Sequence, residues 1–177
     1  MLFSQELSCV PHELYDSEYE VMRVISEDEN ELADIEYLSE TLQLVVIPDA
    51  QVEFPRYNRY KRMGYTHGFK LILLNNTSNN FVLSGMDGRV IMQRQVFYKN
   101  EWRNVESFDK TPKKICGNSL FHKAVIKSGE QFLFVAPCID GNIQVKFRFA
   151  IGASVDKDLS VIYSNEFEGY INESLID

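Results

Sequence analysis

Residues 143–151, Ile-Gln-Val-Lys-Phe-Arg-Phe-Ala-Ile, decide the fold. Ile143, Val145, Phe147, Phe149 and Ile151 alternate with Gln144, Lys146, Arg148 and Ala150. A period of two residues sends apolar groups to one face of a strand and polar groups to the other, so this segment reads as a β-strand with one dry face. Just upstream, the apolar run 131–136 ends at Pro137, and Asp140-Gly141 supplies a hairpin turn signal. The two runs are therefore expected to pair as antiparallel neighbours.

The same pattern extends in both directions. Residues 69–74 stop at the cluster Asn75 to Asn80, whose short polar side chains compete for backbone hydrogen bonds and favour a turn. Residues 81–84, the turn Asp87-Gly88 and residues 90–98 read as a second hairpin. Further short runs follow at 102–106, 119–126, 159–164 and 167–171. About eight or nine strands joined by polar turns, with no helical period among them, predict an all-β fold, an immunoglobulin-like antiparallel β-sandwich spanning residues 54–177.

Residues 1–53 read as an acidic N-terminal extension. Leu32, Ile35, Leu38 and Leu42 recur at helical spacing behind an acidic run, predicting one short amphipathic helix, while residues 19–25 suit a strand or the start of a helix equally. This segment carries 14 acidic residues and one strong base, Arg23, for a net charge of −13, whereas residues 54–177 carry +5. The asymmetry suits docking of the extension onto the body, or an acidic surface turned toward a basic partner.

A chain of 177 residues, 45% of them hydrophobic, can bury one good core. Its longest dense apolar run, 42–47, is far below the ~18 residues of a membrane span. The start lacks the basic and apolar regions of a secretory leader, so the expectation is a cytoplasmic chain. Cys9, Cys116 and Cys138 match no metal spacing and are expected as free thiols; export would permit a Cys116–Cys138 bridge. Sequons at Asn75, Asn76 and Asn172 would matter only on a eukaryotic secretory route.

The chemical inventory is thin. Cys116 and His122 on one strand would stand roughly 20 Å apart, far beyond the ~3 Å a nucleophile and its base require. On a helix their side chains would diverge by about 120°. Cys116 to Ser119 thus reads as a turn, and outward Lys123 and Lys127 place His122 on the inward face of the next strand. His12, His67 and His122 have no ligand spacing, Asp156 and Asp158 read as a solvated loop, and the Glu166 and Glu168 pair suits many roles. With no glycine-rich phosphate loop and no GxSxG elbow, the expectation is no enzyme and no cofactor or metal, with a cysteine hydrolase using Cys116 as the outside alternative.

Residues 54–70 interleave cations with rings. Arg56, Tyr57, Arg59, Tyr60, Lys61, Arg62 and Tyr65 form the candidate binding surface. Such alternation suits stacking and phosphate contacts, but the acidic balance of the chain weighs against nucleic acid and favours a protein partner.

Several phrases in the second half form a set: Trp102 to Glu106, Cys116 to Ser119, 128–137, Lys146 to Phe149, and Tyr163 to Asn172. Their order resembles a group of uncharacterised bacterial β-sandwich proteins with W-x-P-I-E, C-G-N-S and S-N-E-F-x-G-x-I-N segments. The resemblance covers residues 69–172 and departs at Asn104, where the group has proline; it implies the fold and no catalytic residues. Trp102, the sole tryptophan, is expected across the core, and Ser164, Asn165 and Gly169 in a kinked final strand. Function reads as a non-enzymatic binding or assembly module with a protein partner. The alternative is an acidic immunity-type inhibitor of a basic toxin or nuclease, whose partner would be lost on deleting residues 1–50.

Overall fold

A computed structural model describes residues 9–14, 20–22, 38–56, 58–86, 89–90, 92–105, 121–155 and 158–176. The described chain is all-β and antiparallel, as expected. A small sheet has the order β1 (Glu20–Met22), β9 (Gln131–Ala136), β3 (His67–Asn75), β2 (Leu42–Glu53). A large sheet is built around β10 (Ile143–Val155), which pairs along one edge with β6 (Met92–Tyr98) and β4 (Phe81–Met86), and along the other with β12 (Phe167–Ile171) and β11 (Asp158–Tyr163). Beyond these, β7 (Glu101–Asn104) pairs β6, while β5 (Arg89–Val90) and β8 (Phe121–Ile126) pair β4.

The alternation in residues 143–151 has the expected consequence. Val145, Phe147, Phe149 and Ile151 are buried, and they share one core with Leu44, Val46, Leu71, Leu73, Phe132 and Phe134 of the small sheet. Gln144 and Lys146 face outward. Removing a buried phenylalanine of this set would cost about 3–5 kcal/mol, from lost transfer energy and the cavity left behind.

The pairing of 131–136 with 143–151 is corrected. β9 lies in the small sheet between β1 and β3, so the link through Asp140-Gly141 crosses between sheets instead of closing a hairpin. Two local causes are visible. Pro137 has no N–H for a ladder, and the backbone after it is taken by the N-terminal strap, where Val10 N donates to Cys138 O and Asp140 N to Val10 O. Gly141 then passes so near β12 that a Cβ there would meet the Ile171 backbone at 2.0 Å. The second expected hairpin is present in short form as β4–β5, after which the chain turns away and β6 joins β10.

Leu42 begins a strand and does not end a helix. Leu38 is exposed beside a turn at 39–40, and Leu32 and Ile35 lie outside the described residues. Within 19–25, Glu20–Met22 is a strand paired with β9. β2 lies before the expected boundary at residue 53, yet it pairs with β3 from Leu42↔Asn75 to Glu53↔His67 around a register shift between Ile47 and Gln51. Deleting residues 1–50 would therefore strip a sheet edge, and loss of a partner on that deletion would not identify an inhibitor.

Cys9 and Cys138 form a disulfide, which corrects the expectation of free thiols and removes Cys138 from any bridge to Cys116. Cys116 itself lies outside the described residues. The bridge fixes the strap at 9–14, whose Val10 packs with Phe54, Tyr60 and Val135 in a second, smaller core.

Candidate functional site

The expected surface at residues 56–65 folds differently from a platform. Asn58 caps a one-turn helix, α1 (Arg59–Arg62), its Oδ1 accepting from Tyr60 N at 2.7 Å and Lys61 N at 3.2 Å. Such a turn replaces an extended run of interleaved cations and rings by a short helical one. Tyr60 is fully buried, tilted against Phe54 at 5.8 Å, and Tyr65 packs on the same core. Lys61 pairs with Glu53, holding the Glu53 carboxyl below the usual carboxylate range through the hydrogen bond and the lysine charge. Arg56 and Arg62 are exposed, Arg59 is half-buried, and Tyr57 lies outside the described residues. Tyr60 is thus withdrawn from the surface on which Arg56 and Arg62 are exposed.

Rings and a cation do converge on the outer face of the large sheet. Strand parity turns Arg148 of β10, Gln95 and Phe97 of β6, and Trp102 and Asn104 of β7 away from the core, and the register sets Arg148 opposite Gln95 and Gln95 opposite Asn104. A hydrogen-bonded row follows: Arg148 Nε donates to Gln95 Oε1 and Gln95 Nε2 to Asn104 Oδ1, both at 2.8 Å. With its plane fixed in this way, the guanidinium lies 4.1 Å from the Trp102 ring centroid and 4.0 Å from that of Tyr163 on β11. Stacking of this kind is favourable because the π-face is negative and guanidinium is weakly hydrated. Trp102 is therefore not in the core but half-buried on the outer face, with Phe97 at 5.4 Å.

Around this stack the surface is apolar and open. Phe97, Val161, Tyr163 and Tyr170 are 39%, 51%, 48% and 57% exposed. A polar rim flanks them, with Lys146 Nζ 3.2 Å from Glu166 Oε2 and Gln144 Nε2 donating to Glu168 Oε2 at 3.0 Å. The Nη groups of Arg148 donate to no residue among those described.

Other candidates disperse. His12 stands beside Asp140, its backbone N donating to Oδ1 at 2.8 Å. His67 Nδ1 meets Thr66 Oγ1 at 2.8 Å, and the backbone of His122 lies opposite Gly85 in the β8–β4 ladder. Lys123 and Lys127 are exposed and Ile126 buried, as the parity of β8 required. No group of three metal-ligating side chains occurs among the described residues. No helix among them is long and apolar enough to cross a membrane. No family model, curated protein or solved structure matches the chain.

Proposed function

We propose that the chain is a non-enzymatic binding module that docks a protein partner on the outer face of its large sheet, with an acidic side chain of the partner meeting Arg148. The observation that carries this reading is the guanidinium within about 4 Å of both the Trp102 and Tyr163 ring centroids, on the outer face of the sheet, with Nη groups that donate to no described residue. Trp, Tyr and Arg are the side chains that concentrate binding energy at protein interfaces, and a fork fixed by Gln95 loses little entropy on accepting a carboxylate. Sugar stacking is less well served, because Arg148 already covers a face of both rings. The disulfide supports a place of action in an oxidising compartment instead of the cytoplasm first expected.

The test is photocrosslinking from p-benzoylphenylalanine at position 163, with the same label at exposed Ser78 as control. The expected result is one discrete protein adduct from 163 that is absent from 78 and falls about tenfold with Arg148→Lys, which keeps the charge but not the planar fork. No adduct from 163, equal adducts from both positions, or an adduct indifferent to Arg148→Lys would reject the proposal.

A further inference from the structure

The outer face of the large sheet has an internal symmetry. Across β10, Tyr170 stands opposite Gln144 and Tyr163 opposite Ala150, so the two exposed tyrosines lie three residues to either side of Phe147, along one edge of the strand. Charge is arranged about the same midpoint. Glu168 stands opposite Lys146 on one side of it and Arg148 lies on the other, which makes Arg148 and Glu168 diagonal neighbours at roughly 7–8 Å. Lys146 and Glu166 pair within the chain, and Glu168 is hydrogen-bonded to neutral Gln144. Among the described residues, neither Arg148 nor Glu168 has an ion pair.

The face is also electrically balanced in a chain that is not. Lys146 and Arg148 offset Glu166 and Glu168, whereas the whole sequence carries −8. Two copies of an acidic chain repel each other in general, and least through a neutral face. The strand columns of this face, β11 with β12, then β10, β6 and β7, span roughly 20 Å by 30 Å over residues 144–152, on the scale of the ~800 Å² per partner that a standard interface buries. Exposed Phe97, Val161, Tyr163 and Tyr170 supply the ring and apolar area that interface cores favour.

We infer that the partner docked on this face is a second copy of the chain, in an isologous dimer whose two-fold axis lies in the interface and crosses β10 at Phe147. The inference rests on the docking role proposed above and names the occupant. Rotation about that axis exchanges residue 144 with 150 and 146 with 148, which brings Tyr170 of each copy to Tyr163 of the other and Glu168 of each to Arg148 of the other. Each contact then occurs twice. The guanidinium beside Trp102 and Tyr163 gains a carboxylate, while Lys146 keeps Glu166. An unrelated acidic surface would also satisfy Arg148, but it would set Glu168 against like charge. A copy of the same face supplies both signs where they are needed.

Sedimentation velocity on the full chain with its disulfide intact tests the assembly. The parent is expected to run as a dimer at about 100 µM and to move toward monomer on dilution. Arg148→Glu sets carboxylate against carboxylate at both symmetry-related contacts, and Glu168→Arg sets cation against cation, so each alone should weaken the dimer at least about tenfold. An equimolar mixture of the two variants restores an opposite pair at both contacts and should recover dimer that neither forms alone. Misfolding cannot produce such recovery, and the parent measurement needs no variant. A parent monomeric at that concentration, a dimer equally tight in both variants, or a mixture of folded variants no more associated than its components would overturn the inference. The docking role is tested separately by the label at position 163. A monomeric parent whose label captures a different protein rejects the second copy and leaves the docking face, whereas a label that captures nothing rejects both.

Discussion

Cys9 and Cys138, 129 residues apart in the chain, lie with their Cα atoms 4.5 Å apart and are joined by a disulfide. A crosslink closing so long a loop removes many conformations from the unfolded chain. The strap it holds adds Val10 to the small core and pairs with the 138–140 backbone. Replacing both cysteines by serine, or reducing the bridge, is expected to cost about 2–5 kcal/mol, read as a lowered urea midpoint. Protein unfolded without reductant should take up one alkylating group, at Cys116, out of three cysteines. Three adducts, or a midpoint unmoved by reductant, would remove the bridge and the argument for an oxidising compartment.

Arg148→Met should disturb the outer face without touching the core. The substitution keeps much of the aliphatic stem but removes two cation–π contacts and the hydrogen bond to Gln95, at a cost of about 1–2 kcal/mol. Trp102 is the sole tryptophan, so its fluorescence reports the stack directly. Emission should shift to longer wavelength as water reaches the uncovered ring. An unchanged spectrum would mean that the guanidinium does not cover the indole in solution.

Strand faces were legible in the sequence, and strand partners were not. Alternation in 143–151 correctly separated Phe147 and Phe149 from Gln144 and Lys146, because parity depends only on neighbours along the chain. It could not reveal that β9 and β10 belong to different sheets, since that follows from a strap arriving from residue 10 and a close crossing at Gly141. Trp102 misled because hydrophobicity argued for the core. Its position opposite Phe97, one residue beyond inward Val96, puts it outside. Arg94 shares the inward parity of Met92 and Val96 on β6 and is buried with them, a position the sequence reading did not single out. Tyr60 was lost to the candidate surface because a single helical turn, capped by Asn58, carries it into the small core beside Phe54. The disulfide had no local signal at all.

Glu53 gives a pH-dependent prediction. Its folded carboxyl titrates below the usual carboxylate range, chiefly through the Lys61 hydrogen bond and charge. A depressed folded value means that the contribution is present above the unfolded value and is lost as pH falls through the folded one. Glu53→Gln should therefore be slightly less stable than the parent at neutral pH, and the two should converge in acid. A difference that grows toward acid would have the wrong sign for this contact. Because the pair is at the surface, added salt should shrink the difference as well.

Asn165 joins the two sheets through a single side chain. Its Oδ1 accepts from Val46 N at 2.7 Å and its Nδ2 donates to Val46 O at 3.0 Å, so the amide serves both peptide groups of one β2 residue. Ser164 supports this placement, its Oγ accepting from Phe149 N and donating to Asn165 O, both at 2.8 Å. Asn165→Ala leaves both Val46 groups without that partner and should cost about 1–2 kcal/mol, with faster hydrogen exchange at the Val46 amide. Asn165→Asp separates the two halves of the contact. It keeps an acceptor for Val46 N but, when ionised, sets a carboxylate against the Val46 carbonyl, so it should be the worse substitution at neutral pH. Protonation restores an O–H donor, so Asn165→Asp should recover relative to Asn165→Ala as the pH falls through the carboxylate range. If the ranking of the two variants does not depend on pH, or if exchange at Val46 is unchanged in both, the side chain does not bridge the sheets.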